Sequence, residues 1–141
     1  MPATTVVFYK ETDGSVPLIK WLDEVIDSRV RLKCLERLEQ LEKYGHELRR
    51  PVADTLRDGI RELRLAYRGV QYRMLYFSHG KNFVVVTHGI QKEDDPVDPK
   101  EIDRAIQRRT IFQKNPDKHS FPKGDYDEEE GISVQGSPVR L

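Results

Sequence analysis

The hydrophobic positions of this chain change their spacing several times, and each spacing predicts a different element. Val6–Lys10 is a β-branched and aromatic run, which favours a strand. Apolar residues then recur at helical spacing over residues 15–45, and Asp27 interrupts the pattern. Ser15 and Asp27 are the expected N-caps of two amphipathic helices, and Gly45 is the expected C-cap of the second. A helical hairpin with one apolar side is therefore predicted.

A second pattern begins after a loop expected over His46–Gly59. Ile60–Tyr67 and Val70–Ser78 alternate apolar and polar residues, which is typical of half-buried strands. Phe83–Ile90 is almost continuously apolar, as expected of a strand that is buried on both faces. Short glycine-containing segments separate these runs. Together they predict an antiparallel three-strand meander.

The last periodic segment is predicted to be a helix that starts at Asp98-Pro99. Asp98 is a suitable N-cap, Pro99 suits the first helical position, and Glu101 can complete a capping box. The order β-α-α-β-β-β-α predicts an α+β domain over residues 1–114. Two layers are expected, with the helical hairpin on one sheet face and arginines on a partly open second face. Residues 115–141 are expected to form an acidic, flexible tail.

Composition limits the class of protein. A chain of 141 residues is long enough for one domain with a substantial core. Cys34 is the single cysteine, so no internal disulfide is possible and a reducing compartment is expected. No apolar run reaches 18 residues, and the N-terminus lacks a secretory pattern. A cytoplasmic protein without a membrane span is predicted.

Charge is distributed unevenly although the chain is neutral overall. The segment Arg49–Lys92 contains nine lysines and arginines against three acidic residues, whereas residues 115–141 contain three basic and six acidic residues. A basic sheet on a small domain indicates a polyanionic partner, most commonly nucleic acid.

The basic strands suggest phosphate chemistry without a metal. The sequence has no P-loop, GxGxxG, HExxH or CxxC motif, and its four histidines lack metal-ligand spacing, so neither metal nor cofactor is expected. Cleavage of RNA by its own 2′-oxygen needs a base, an acid and cations around the phosphate. Arginine binds two phosphate oxygens at once, and histidine can exchange protons near neutral pH. The candidates are Arg64, Arg68, Arg73, His88 and Lys92.

Ordinary structural roles remain open for the same residues. Arg64 and Arg73, each taken alone, are explained as solvated strand residues or as partners of Glu62 and nearby acids, and it is their joint excess over acids that favours a functional role. His88, near a strand end, is explained by a hydrogen bond to the backbone.

Three segments in order resemble the RelE/ParE toxin superfamily, and most closely its phage-derived HigB-like branch. They are DGIRELRLAYRGVQYRMLYF, FVVVTHGIQK and DPKEIDRAIQRR, and the resemblance covers residues 5–112. It implies a RelE/ParE-like fold and the toxin of a type II toxin–antitoxin pair. Such toxins cleave translated mRNA on the ribosome as metal-free endoribonucleases, also called mRNA interferases. A cognate antitoxin, often of the helix-turn-helix type, neutralises them.

The resemblance also implies roles for individual residues. By position, the catalytic groups are expected to be Arg64, Arg73, His88 and Lys92. Arg61, Tyr67 and Arg68 are expected to contact RNA. Where the family pattern has a second lysine after Lys92, this chain has Glu93, Asp94 and Asp95, and acids weaken anion binding. A ParE-like gyrase-binding toxin and a non-catalytic module that binds antitoxin or nucleic acid remain alternatives.

Overall fold

The computed structural model describes residues 3–25, 27–92, 96–122, 124–127 and 131–134, the last two ranges as backbone only. It contains three helices and a mixed six-stranded sheet, which confirms the α+β class. The elements are β1 (Thr5–Tyr9), α1 (Pro17–Glu24), α2 (Ser28–Tyr44), β2 (Ala53–Arg57), β3 (Ile60–Tyr67), β4 (Val70–Ser78), β5 (Phe83–Lys92), α3 (Pro99–Lys114), β6 (Ser120–Phe121), β7 (Gly124–Asp127) and β8 (Gly131–Val134).

The main sheet has the strand order β2-β3-β4-β5-β1-β6. The predicted meander β3-β4-β5 is present, and β2 extends it within the segment that was expected to be a loop. β1 pairs with β5 in parallel, and the helical hairpin carries the chain from β1 across the sheet to β2 at the opposite edge. Arg68-Gly69 joins β3 to β4 with φ values of 51° and 81°, the left-handed conformations of a type I′ turn.

Helices cover both faces of this sheet, so the expected two-layer arrangement is wrong. Residues that alternate along the strands form two separate cores. One core contains Phe8, Leu63 and Met74 with residues of α1 and α2. The other contains Leu75 and Phe77 with residues of α3. The predicted open arginine face is therefore partly covered by α3.

The second helix begins and ends where its capping residues predict, and the third helix begins where its N-cap predicts. The carboxylate of Asp27 accepts a hydrogen bond from the Arg29 amide, and Gly45 ends α2 with a φ of 54°. Asp98 caps α3 in the same way by accepting from the Lys100 amide. These local signals depend only on neighbouring residues, which explains why the sequence is sufficient to predict them.

Two predicted caps do not form. Val16, not Ser15, occupies the N-cap of α1, because the Ser15 hydroxyl donates to the Asp13 carboxylate instead. The side chain of Glu101 forms an ion pair with Arg104 at 2.8 Å, so it does not complete a capping box. Both side chains have stronger partners than the helix N-terminus.

Part of the expected tail has secondary structure. Strand β6 pairs with β1, and the Phe121 ring stacks on that of Phe8 with centroids 6.5 Å apart. The His119 ring stacks in parallel on that of Tyr9 at 5.6 Å. β7 and β8 form a hairpin. The main sheet therefore extends past residue 114, the boundary that the sequence indicated. No helix within the described ranges is long and apolar enough to cross a bilayer.

Candidate functional site

The four predicted catalytic side chains lie on one sheet face, the face covered by α3. Arg64 on β3 is paired in register with Arg73 on β4. On β5, His88 is opposite Leu75, and Lys92 is opposite Gln71. Because alternate residues of a strand share a face, all four lie on the side of the core residue Leu75. The sheet thus brings the predicted set together.

Arg73 is fully buried and forms an ion pair inside the protein. Its Nε lies 2.8 Å from Oε1 of Glu62, which is only 2% exposed. Its Nη1 donates to the Gln71 side chain at 3.1 Å and to the Tyr72 carbonyl at 3.2 Å. A buried guanidinium needs such partners, because an unpaired buried charge is strongly destabilising. The pairing with Glu62 is the structural alternative that the sequence left open.

Glu62 also joins Arg73 to Arg64. Oε2 of Glu62 accepts a hydrogen bond from Nη1 of Arg64 at 3.1 Å, and Asp54 lies 4.0 Å from the same Nη1. Burial raises the pKa of Glu62, and the two guanidinium groups oppose that shift. A carboxylate with a raised pKa between two arginines is a candidate proton acceptor. In the sequence Glu62 is distinguished only as a partner of the arginines, since neither its spacing nor its residue type separates that role from proton transfer.

His88 lies beneath the first turn of α3 and is 4% exposed. Its Nδ1 is 2.8 Å from the Thr87 hydroxyl, and its Nε2 is 3.7 Å from Oε2 of Glu101. Burial, with a smaller effect from the guanidinium groups of Arg108 and Arg104, lowers the pKa of His88 to about 3. The nearby Glu101 carboxylate is itself paired with Arg104 at 2.8 Å. His88 is therefore neutral at pH 7 in this conformation, and its pKa lies below the near-neutral range that the sequence suggested.

Lys92 ends β5 beside the same cluster. It is half-buried, and its Nζ donates to the Pro96 carbonyl. Its register partner Gln71 is the amide that accepts from Arg73. The expectation that Glu93, Asp94 and Asp95 weaken anion binding falls on residues outside those the structure describes.

The residues expected to contact RNA lie elsewhere. Arg61 and Tyr67 alternate with Arg64 on β3, so they face the side of α1 and α2. Nη2 of Arg61 donates to the Leu48 carbonyl at 2.8 Å. The guanidinium groups of Arg29 and Arg68 lie 5.9 and 5.2 Å from the centre of the Tyr67 ring. The sheet therefore separates this group from the predicted catalytic group.

A cleft at the edge of β3 connects the two faces. Its volume is about 280 Å³, and it is lined by Arg37, Arg50, Pro51, Arg64, Leu65, Ala66, Gln71 and Arg73. Nε of Arg37, on α2, donates to the Arg64 carbonyl at 2.8 Å, which fixes the side chain across this edge. Arg37 was not predicted, because in the sequence it is one polar residue on an amphipathic helix. No spacing in the sequence places it beside β3.

A comparison with family models identifies the relationship. The model of the family described as "Phage derived protein Gp49-like" matches residues 20–110, about two thirds of the chain. The chain belongs to the Gp49-like family. This family is associated with toxin–antitoxin systems, in which a toxin has a cognate antitoxin as its partner. No curated protein matches the chain.

The region matched to the Gp49-like family includes a close contact between α1 and β5. A Cβ atom added to Gly89 would lie 2.1 Å from Cε3 of Trp21. The Trp21 ring is held edge-on to that of Tyr72, with centroids 6.4 Å apart. The glycine of the His-Gly segment thus allows α1 to pack directly on the backbone next to His88.

The described residues of this Gp49-like chain contain no group of three or more histidine, cysteine, aspartate or glutamate side chains arranged to hold a metal ion. Cys34 is fully buried, and burial raises the pKa of its thiol to about 12. The thiol is therefore protonated at neutral pH and serves as a core residue.

Proposed function

We propose that this Gp49-like protein is the toxin of a type II toxin–antitoxin pair and cleaves translated mRNA on the ribosome. The observation that supports this proposal is the convergence of Arg64, Arg73 and Lys92 at one end of the α3 face, beside the cleft at β3. The family association supports the toxin role. The proposal implies a cytoplasmic protein whose partners are the ribosome, mRNA and a cognate antitoxin of helix-turn-helix type.

The proposed reaction breaks a phosphodiester without a metal. The 2′-oxygen attacks the adjacent phosphorus, a 2′,3′-cyclic phosphate forms, and the bond from phosphorus to the 5′-oxygen breaks. The 2′ proton goes to a base, and the leaving 5′-oxygen takes a proton from solvent water to become a hydroxyl. Arg64, with a side chain 17% exposed, is the cation that reaches the cleft. Arg73 lies behind it and holds Glu62, which orients Arg64.

Two groups on the α3 face are the candidates for accepting the 2′ proton, the neutral imidazole of His88 and the side chain of Glu62. Both are buried in this conformation, so binding of RNA has to expose the one that reacts. They lie in one row across the sheet, with Leu75 between them. The RNA cleavage rates of purified His88→Gln and Glu62→Gln, measured as a function of pH, identify the proton acceptor. Only loss of the true acceptor should flatten the pH profile of the cleavage rate. Thermal unfolding of both variants controls for loss of folding.

One observation favours a second function, a non-catalytic module that binds antitoxin or nucleic acid. Arg73 is fully buried and His88 is 4% exposed, so neither contacts a ligand in this conformation. Arg64 and Lys92 are more accessible and are sufficient to bind an anion. The two functions therefore differ in whether the RNA chain is cut.

Expression in bacteria tests the proposal. Wild type should arrest growth and produce codon-linked mRNA 5′ ends, and Arg64→Gln should relieve both effects. Arg49→Gln is the matched control, because this exposed arginine lies four residues before β2 and outside the cleft. Arrest with intact mRNA and altered DNA supercoiling would instead support gyrase binding, and absence of arrest would support the binding module.

A further inference from the structure

We infer that single-stranded RNA crosses the open edge of β3 and that Arg37 binds one of its phosphodiesters there. This inference rests on the proposed function and extends its site to a residue of α2. An RNA chain on this path would contact the cations of the α3 face and also those beside Tyr67 on the opposite face.

The edge is open because β2 is shorter than β3. The last register pair between them is Ala53 with Leu63. One further hydrogen bond runs from the Arg64 amide to the Val52 carbonyl at 2.7 Å. Beyond that point, β3 continues to Tyr67 with β4 as its partner on one side. An extended chain can therefore pass this edge without displacing a strand.

Arg37 is oriented for a ligand at this edge. Nε donates to the Arg64 carbonyl at 2.8 Å, and Nη1 donates to the Gln40 side chain at 3.0 Å. Within the described parts of the chain, no carboxylate lies within 4.0 Å of Arg37, and its Nη2 has no hydrogen-bond partner. The other cleft arginines differ, since Arg50 pairs with Asp54 and Arg64 with Glu62. A half-buried, oriented guanidinium suits a phosphate oxygen.

The dimensions of the cleft favour a single strand over a duplex. A volume of about 280 Å³ accommodates a phosphate with its sugar, but it cannot admit a nucleic-acid helix. Leu65 and Ala66 add apolar surface against which a ribose can lie. An acidic polypeptide is the competing occupant, and it differs from RNA in offering carboxylates on flexible side chains.

Binding to RNA that cannot be cleaved tests this inference separately from catalysis. The probe is a fluorescent single-stranded RNA of twelve nucleotides with 2′-O-methyl groups, and anisotropy is measured with the full chain. Arg37→Gln should weaken binding roughly tenfold and reduce the slope of log affinity against log salt by about 0.7. Arg37→Lys keeps the charge but loses the planar fork, so it should give an intermediate affinity.

Lys33→Gln is the matched control, because it removes one positive charge from the exposed side of the same helix. It should change the affinity less than twofold, and thermal unfolding should show that all variants fold. Equal affinities for Arg37→Gln and Lys33→Gln, or no binding of the RNA by wild type, would overturn the inference. The inference would also be overturned if Arg37→Gln bound a twelve-residue glutamate peptide more weakly than wild type does, but bound the RNA with the wild-type affinity. Normal RNA binding without any mRNA cleavage would contradict only the proposed function.

Discussion

Nε of Arg73 lies 2.8 Å from Oε1 of Glu62, and neither side chain is more than 3% exposed. Arg73, one of the arginines that the sequence associated with phosphate binding, is therefore part of the protein interior. Glu62 connects it to Arg64 at the cleft. The pair thus supports the more exposed cation and contributes to stability at the same time.

Removing the charge of Glu62 should destabilise the fold. Glu62→Gln leaves Arg73 buried without its carboxylate, so the free energy of unfolding should fall by about 3 kcal/mol, as for other broken buried pairs. Urea denaturation measures this change. The matched control is Asp54→Asn, which loses a more exposed pair with Arg50 and should cost less than about 1 kcal/mol. Equal losses in the two variants would show that the buried pair has no special role.

Stability should depend on pH through His88. An unfolded histidine binds a proton near pH 6.5, whereas the pKa of His88 in the folded protein is about 3. Between these values the unfolded chain binds more protons, so stability falls as pH falls. His88 contributes at most about 1.4 kcal/mol per pH unit to this loss.

Urea unfolding from pH 7 to pH 5 tests the contribution of His88, since most carboxylates remain ionised in that range. His88→Asn should have a smaller dependence on pH than wild type. The exposed His46 provides the control, and His46→Asn should keep the wild-type dependence. Parallel curves for wild type and His88→Asn would contradict the burial of a neutral imidazole.

A methyl group at Gly89 should disturb the contact between α1 and β5. Gly89→Ala places its Cβ 2.1 Å from the Trp21 ring, and overpacking of this kind costs about 1–3 kcal/mol. Gly89→Ala should be less harmful in a chain that also carries Trp21→Leu, because the smaller leucine side chain leaves room for the methyl group. A double-mutant cycle by thermal unfolding measures the coupling. Additive losses would show that Trp21 does not restrict residue 89.

Local sequence patterns were sufficient to predict the meander and most of the residues at which its strands begin and end. Alternation places Leu63 and Met74 in one core, and Arg68-Gly69 forms the turn that joins their strands. β2 was missed because the five residues ADTLR lack a clear apolar pattern, and their pairing with β3 is a tertiary event.

The site was less predictable because its geometry depends on distant elements. The sequence identified Arg64 and Arg73 as cations, but their difference in exposure arises from Glu62 and from the packing of α3. Arg37 joins the cleft because α2 packs beside the edge where β2 ends. Charge and residue type therefore indicate the class of ligand, whereas accessibility requires the fold.

Truncation tests the contribution of β6 to the fold. A chain ending at residue 122 keeps β6, with Phe121 on Phe8 and His119 on Tyr9. A chain ending at residue 115 loses these contacts and should be less stable by roughly 3 kcal/mol, from the buried aromatic area. Thermal unfolding compares both with the full chain. Equal stability of the two truncated chains would show that β6 does not contribute to the fold.

The proposed reaction cuts mRNA by attack of the 2′-oxygen on the adjacent phosphorus. The most direct measurement is end analysis of an mRNA translated in a reconstituted system with the purified full chain. Cleavage within the ribosomal A site should give 5′-hydroxyl and 2′,3′-cyclic phosphate ends, and Arg64→Gln should reduce the rate at least tenfold. Ends that carry a 5′-phosphate, or intact mRNA in the presence of active protein, would contradict the account.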